Sequence, residues 1–185
     1  MPRIEPLPET EWTEEQEALL APMQNNEGVG HVARNLFTTL ARHPKLFKRW
    51  SVFANHVLFK SSLGAEAREL AILRIGWLTQ ADYEWGQHVL IARQCGLSDE
   101  VIRRVRFGAE ASDWTPSERA LLVAVDQLHH QCEIDDTCWN SLRTSYDEHQ
   151  ILDLIFLVGN YRMLSGFMKS TGLLRDADVP GLEEP

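Results

Sequence analysis

The side chains best suited to acid–base chemistry lie close together in the sequence, between positions 83 and 88. Glu84 and His88 are four residues apart, so on a helix they lie on the same face. A carboxylate beside an imidazole can orient the ring and raise its pKa, which suits a general acid or base. Tyr83 adds a hydroxyl and Trp85 a flat apolar surface. The same spacing is common on helix surfaces, so a structural pair stays open from spacing alone.

An acid and a base interrupt an otherwise apolar segment, residues 69–77, just upstream of this cluster. Glu69 and Arg74 lie among leucine, isoleucine and alanine residues. Ionised side chains are almost never fully buried without partners. Glu69 therefore either takes part in a site or forms a structural ion pair with an arginine such as Arg68 or Arg74, and both interpretations remain open.

Other kinds of catalytic centre find little support in the sequence. Cys132 and Cys138 have five residues between them, which is not the Cys-x-x-Cys spacing of a redox pair. With Cys95 the cysteines number three, which does not indicate a disulfide framework and predicts a reducing, cytoplasmic location. Glu84 and His88 supply two metal ligands, whereas catalytic zinc usually takes three from the protein, so we expect no metal.

Length and composition predict one globular domain. The chain has 185 residues, of which 44% are hydrophobic and 24% charged, enough to bury a substantial core. Its formal net charge of −9 argues against nucleic-acid binding, which needs a basic surface. The first residues lack the apolar core of a signal peptide, and the apolar stretch 151–158 is too short to span a bilayer.

Residues that begin or end helices recur along the chain. The predicted helix starts are Thr13–Gln16, His43–Pro44, Gly64, Asp82, Ser98, Thr115–Glu118, Asp135 and Ser145–Glu148. Gly96 and Gly172 predict helix ends, and residues 25–30 predict a loop. No segment alternates like a strand, so we predict an all-α, single-domain bundle of about eight or nine helices.

Taken together, these segments resemble the carboxymuconolactone decarboxylase family, which belongs to the alkylhydroperoxidase D-like superfamily. The resemblance rests on Arg68–Arg74, Tyr83–His88 and Ala92–Ser98, with flanking likeness in Asn35–Phe37, His43–Phe47 and Asn160–Leu164. It covers roughly residues 35–173. We therefore expect an N-terminal arm and short helix over residues 1–34, the family domain over 35–173 and a tail over 174–185.

The resemblance also implies which residues occupy the site. Alkylhydroperoxidase D relatives carry Cys-x-x-Cys-x-x-x-His and an upstream glutamate that feeds a proton relay. On this chain His88 takes the histidine position and Glu69 the glutamate position, while Ala81 and Glu84 stand where the cysteines would be. Tyr83 occupies a position that is often a relay histidine. The chain thus resembles a subgroup without the cysteine pair.

That departure favours acid–base over thiol chemistry. A thiol peroxidase needs one thiolate to attack the peroxide and a second thiol to resolve the sulfenic acid. The decarboxylase branch also lacks the cysteines, uses no cofactor and acts on a lactone acid. By this resemblance we expect a small oxygenated organic acid as substrate. The expected roles are proton delivery by His88, tuning by Glu69 or Glu84, a hydrogen bond from Tyr83, a carboxylate anchor in Arg74 and an apolar wall from Trp85.

Two alternatives remain from the sequence. One is an alkylhydroperoxidase-type antioxidant that uses an unusual cysteine. The other is a non-catalytic oligomeric binding protein, which predicts that Glu69, Tyr83 and His88 face no pocket. The resemblance implies self-association as a trimer, hexamer or dimer. The segment 148–168 agrees with this expectation, because its apolar residues cover more than one helix face and require burial by the core or by a neighbouring subunit.

Overall fold

A computed structural model describes residues 1–24 and 34–183 of the chain, and within them all regular structure is helical. The α-helices in chain order are α1 (Glu14–Gln24), α2 (Arg34–Leu40), α3 (Pro44–Asn55), α4 (Ala65–Leu78), α5 (Asp82–Gln94), α6 (Asp99–Val105), α7 (Pro116–Gln131), α8 (Asp136–Leu142) and α9 (Glu148–Thr171). Short 3₁₀ turns span Glu9–Glu11 and Gly108–Glu110, and a π turn, His56–Lys60, continues α3. The all-α prediction is therefore confirmed.

Helix α4 is the centre of the bundle. It packs against α5, α7 and α9, and residues 69–76 are all buried. Its apolar residues surround the helix and do not form one stripe, as expected for a helix covered on every side. Because residues 69–76 are all buried, the charged side chains of Glu69 and Arg74 need hydrogen-bond or ion-pair partners inside the protein.

Most helix ends form where the local sequence predicts them. Thr115 and Glu118 make a reciprocal capping box at the start of α7, and Asp135 accepts a hydrogen bond from the Cys138 amide at the start of α8. Gly172 ends α9 in the left-handed conformation, with φ of 69°. In each motif a nearby residue forms a hydrogen bond with a backbone group that the helix end leaves unpaired. Neighbouring residues are therefore enough to specify where these helices begin and end.

Two predicted helix starts are wrong, and one helix was not predicted. Ala81, and not Asp82, is the N-cap residue of α5, because the Asp82 carboxylate binds the C-terminal tail. Helix α9 begins two residues later than expected, with a capping box formed by Asp147 and Gln150. Helix α2 lacks a local start signal in the sequence. The predicted loop at residues 25–30 lies outside the described residues.

Both chain ends pack against the bundle. The N-terminal arm donates from Arg3 N to the Thr171 carbonyl at 2.6 Å and from Leu7 N to the Thr38 carbonyl at 3.2 Å. The C-terminal tail crosses α5 so closely that a Cβ on Gly86 would overlap the Pro180 carbonyl oxygen. The tail is thereby fixed beside the helix that carries the predicted site.

Helix α9 has the length and apolar composition that a membrane-spanning helix needs. It is the one helix in the described part of the chain that meets both criteria. Half of its apolar window is buried against the other helices, and core helices of soluble proteins pass the same test. Length and hydropathy are therefore weak grounds for a membrane span.

Candidate functional site

The structure joins Glu69 of α4 to His88 of α5. Both side chains are buried, and Glu69 Oε2 lies 2.7 Å from His88 Nδ1. With Glu69 ionised, Nδ1 must carry the proton of this hydrogen bond, which leaves the lone pair of the neutral imidazole on Nε2. Nε2 can then accept a proton from a bound molecule, and the charged ring can return it.

Arg68 supplies the positive charge that a buried carboxylate needs. Its Nε donates to Glu69 Oε1 at 2.9 Å, so the two oxygens of Glu69 are divided between Arg68 and His88. The Arg68 side chain is 15% exposed, compared with 0% for Glu69, so it lies on the more open side of the pair. Of the two arginine partners considered for Glu69, the structure selects Arg68.

Cys95 lies at the outer end of this chain of contacts. Its Sγ is 3.7 Å from Arg68 Nη2. Burial and the nearby Glu69 carboxylate raise the pKa of the thiol, and the Arg68 guanidinium lowers it only in part. A raised pKa disfavours the thiolate that peroxide chemistry requires.

Tyr161 of α9 completes the buried cluster and was not among the predicted site residues. Its ring packs edge-on against His88 with centroids 4.9 Å apart. Burial and the carboxyl groups of Glu69 and Glu84 raise the pKa of the phenol well above its ordinary value, so it is neutral at physiological pH. It lies on α9, 73 residues beyond His88, and although Asn160–Leu164 formed part of the family resemblance, nothing in that segment indicated a site role for the tyrosine.

Glu84 is buried on the same side of α5 as His88, against α9. The Ser165 hydroxyl shares its one proton between Glu84 Oε2 at 3.2 Å and the Tyr161 carbonyl at 2.8 Å, and its oxygen accepts a hydrogen bond from Thr79. Complete burial holds the pKa of the Glu84 carboxyl well above its usual range, and the serine hydrogen bond lowers it only partly. A raised pKa favours the protonated form of Glu84, which can donate a hydrogen bond.

The Tyr83 hydroxyl is directed away from this cluster. It donates to Asp176 Oδ2 in the C-terminal tail at 2.7 Å and accepts from Leu36 N at 3.2 Å. Gln87 donates to the same carboxylate oxygen at 2.9 Å. Positions 83 and 87 share a helix face about 100° away from the one that presents His88. Tyr83 therefore anchors the tail and does not join Glu69 and His88, and its predicted hydrogen bond to substrate stays untested.

The guanidinium of Arg74 is also occupied elsewhere. It binds Asp126 of α7 through two hydrogen bonds of 2.6 and 2.9 Å and donates to the carbonyls of Val105 and Arg106. These bonds engage all three nitrogen atoms. Arg74 thus joins α4 to α7 and to the end of α6, and its predicted role as a carboxylate anchor stays untested.

Trp85 packs inside the bundle. Its side chain is fully buried and lies 5.5 Å from the Trp77 ring, with the Arg106 guanidinium 5.2 Å from its ring centre. Packing in the core is therefore enough to explain why position 85 is aromatic. Its predicted contact with substrate stays untested.

A surface groove of about 660 Å³ lies on a different part of the molecule, between the π turn and α9. None of the predicted site residues lines it. Its lining residues are Phe53, His56, Lys60, Ser62, Asp147, His149, Leu152, Asp153 and Phe156.

Comparison with known proteins agrees with the helical architecture. The sequence model of the carboxymuconolactone decarboxylase family matches residues 44–127, which include Glu69, Glu84 and His88. No curated protein matches the chain significantly.

Several solved structures share the fold. A protein from Ralstonia eutropha JMP134, described as an alkylhydroperoxidase AhpD core and an uncharacterized peroxidase-related protein, aligns with a TM-score of 0.82 and 19% identity over 95% of this chain and 93% of its own. An uncharacterized peroxidase-related protein from Silicibacter sp. TM1040 aligns with a TM-score of 0.77 and 17% identity over 96% and 90%.

A cysteine-to-alanine variant of the debrominase Bmp8, in complex with 2,3,4-tribromopyrrole, has a TM-score of 0.73 to this chain. The two are 16% identical over 94% of this chain and 91% of the debrominase. At these identities the three structures establish the fold, and the chemistry has to be inferred from the residues of the site.

Proposed function

Because the chain belongs to the carboxymuconolactone decarboxylase family, we propose that it is an acid–base enzyme acting without a thiol on a small oxygenated organic acid. The observation that carries the proposal is the buried Glu69–His88 hydrogen bond of 2.7 Å. A buried carboxylate that orients an imidazole is the arrangement expected of a general acid–base catalyst.

In the proposed reaction His88 moves the proton. The bond between the substrate carboxylate and its carbon breaks, carbon dioxide leaves, and the electron pair remains on a carbon conjugated to the lactone carbonyl. The protonated Nε2 of His88 then delivers a proton to that carbon, and solvent recharges the ring. Glu69 holds the ring and stabilises its charged form throughout.

Neutral hydrogen-bond donors beside His88 support this chemistry. Glu84 and Tyr161 both have a raised pKa, so each can donate to negative charge that develops on the lactone oxygens. Arg68 is the guanidinium that contacts the pair, and we assign to it the attraction of the substrate carboxylate. Arg74 is less suited to that role because its three nitrogen atoms already have acceptors.

For the rival thiol peroxidase, the cysteine that lies beside the buried pair is Cys95, whose Sγ contacts Arg68. Its raised pKa argues against it. The rival is tested by peroxide consumption in a triple variant, Cys95→Ser, Cys132→Ser and Cys138→Ser. Unchanged consumption in this variant would exclude thiol chemistry, and its loss would favour the peroxidase.

The central test compares His88→Gln with His130→Gln, a matched change at an exposed histidine. Both variants are assayed with unsaturated γ-lactones that bear a carboxylate, by following carbon dioxide release and uptake of solvent deuterium at carbon. We expect His88→Gln to lower both by about 10²–10⁴-fold and His130→Gln to change neither. Full activity in His88→Gln would refute the proposal. Binding of these acids to the wild type without turnover would instead support a non-catalytic protein.

We also propose a cytoplasmic location and self-association, without a nucleic-acid or membrane partner. All three cysteines, Cys95, Cys132 and Cys138, are free thiols, which suits a reducing compartment. The net charge of −9 is consistent with a protein that does not bind nucleic acid.

A further inference from the structure

Three hydrogen-bond donors from two helices converge on one carboxylate of the C-terminal tail. Asn35 N of α2 donates to Asp176 Oδ1 at 3.1 Å. From α5, the Tyr83 hydroxyl donates to Asp176 Oδ2 at 2.7 Å, and Gln87 Nε2 donates to the same oxygen at 2.9 Å. We call these three donors the donor cluster. Together they satisfy both oxygens of a carboxylate, which can only accept hydrogen bonds when it is ionised.

The donor cluster belongs to the bundle and not to the tail. Tyr83 and Gln87 are four residues apart, so they lie on one face of α5. Leu36 N of α2 donates to the Tyr83 hydroxyl oxygen at 3.2 Å, which leaves the phenol proton for an outside acceptor. Burial and the Asp176 carboxylate raise the pKa of Tyr83, so the phenol keeps that proton. Without a carboxylate these buried donors would lack an acceptor, which costs free energy.

Asp176 reaches the donor cluster from an exposed part of the tail. Within residues 174–178 it is the one residue that is not exposed, and burial resumes at Val179. Its neighbour Arg175 pairs with Asp82 at 2.7 Å. Within residues 1–24 and 34–183, no arginine, lysine or histidine forms an ion pair with Asp176. Hydrogen bonds, and not apolar packing, therefore hold residues 174–178 against the bundle, and such segments open locally at low cost.

We infer that the donor cluster is a binding site for the carboxylate of a small organic acid, and that Asp176 occupies it as a tethered ligand. A free acid that binds there takes the place of Asp176 and releases residues 174–178. The three donors are neutral, so they favour a monocarboxylate over a phosphate dianion, whose second charge would find no cation. The inference goes beyond the proposed function, because the donor cluster lies on a different face of α5 from His88.

The tether determines how much free acid is needed. A ligand joined to its site by a short flexible segment has an effective concentration in the millimolar range. The apparent affinity for a second ligand falls by the fraction of molecules in which the site is open. The wild type should therefore release residues 174–178 only when acid is abundant, which makes the tail a sensor of acid concentration.

Asp176→Ala opens the site and is the first test. Sodium acetate is titrated at constant ionic strength while NMR follows the side-chain amide of Gln87 and the backbone amide of Asn35. We expect saturable shifts with a dissociation constant at least about tenfold lower than in the wild type, and no shifts with acetamide. Asp178→Ala, a matched change at an exposed acid of the same segment, should behave as the wild type. Absence of saturable shifts in Asp176→Ala would overturn the inference.

A second substitution in the Asp176→Ala background locates the bound acetate. Tyr83→Phe removes a donor to a charged acceptor, so we expect affinity to fall about tenfold or more. Tyr146→Phe, at a phenol outside the donor cluster, should leave it unchanged. His88→Gln should also leave it unchanged. Loss of binding in His88→Gln would place the acetate at the Glu69–His88 pair, which would overturn this inference and leave the proposed function standing.

Hydrogen exchange in the wild type tests release of the tail without any substitution. We expect acetate, compared with sodium chloride at equal ionic strength, to accelerate exchange of the amides in residues 174–178 while α5 stays protected. This result does not depend on the folding of a variant. Unchanged exchange at acetate concentrations that saturate the NMR shifts would overturn the exchange of Asp176 for a free acid.

Discussion

Replacing Glu84 with glutamine tests whether this buried side chain is a neutral acid. The carboxyl group is completely buried, its one described hydrogen bond comes from Ser165, and burial raises its pKa well above normal. Glutamine has nearly the same shape and keeps an oxygen that can accept from Ser165. Glu84→Gln therefore removes the titration of this group with little change in packing.

The direction of the pH effect follows from proton binding. In the unfolded chain Glu84 loses its proton near the ordinary glutamate pKa of about 4.3, whereas in the folded protein it keeps that proton to higher pH. Between these two values the folded state binds one proton more, so the free energy of unfolding falls as pH rises. For one group the slope reaches about 1.4 kcal/mol per pH unit, a large share of the usual 5–15 kcal/mol of domain stability.

The assay is urea unfolding of wild type and Glu84→Gln from pH 5 to pH 8, with the difference between the two plotted against pH. Other titrating groups cancel in that difference. We expect the variant to gain stability over the wild type as pH rises, by up to about 1.4 kcal/mol for each pH unit. Glu66→Gln, the same change at an exposed position of α4, should give a flat difference. A flat difference for Glu84→Gln would refute the neutral acid and remove its proposed role as a hydrogen-bond donor to the lactone oxygens.

Three further substitutions test individual contacts. Glu69→Gln leaves one side-chain oxygen to accept from both Arg68 and His88, so we expect the free energy of unfolding to fall by about 3–5 kcal/mol. We also expect ¹⁵N NMR to show a changed His88 tautomer, and an unchanged tautomer would contradict the positioning role of Glu69. Arg74→Met leaves the Asp126 carboxylate without its ion-pair partner, and because that side chain is 28% exposed we expect urea unfolding to show about 3 kcal/mol of destabilisation. A loss below about 1 kcal/mol would show that the ion pair is not needed for stability. Gly86→Ala forces the C-terminal tail off α5, so hydrogen exchange in the tail should accelerate while α5 stays protected, and unchanged exchange would contradict the close packing.

The fold class and most helix ends could be predicted from the sequence, as could the resemblance to the carboxymuconolactone decarboxylase family, whose model matches residues 44–127. Helix caps such as Thr115 with Glu118 are formed by residues three apart, and Gly172 ends α9 through its own backbone conformation. Local hydrogen bonds of this kind can be predicted without a tertiary structure. The importance of Glu69 was also predictable, since an acid in an apolar helix must have a partner.

Which side chains meet depends on how the helices pack, and the sequence did not predict it. Glu69 faces His88 because α4 packs against α5, and Tyr161 joins them because α9 closes the same side of the bundle. Packing likewise directs the Tyr83 hydroxyl to the tail and the Arg74 guanidinium to α7. The direction of a buried side chain depends on the neighbouring helices, and contacts between residues far apart in the chain leave no periodic signal in the sequence.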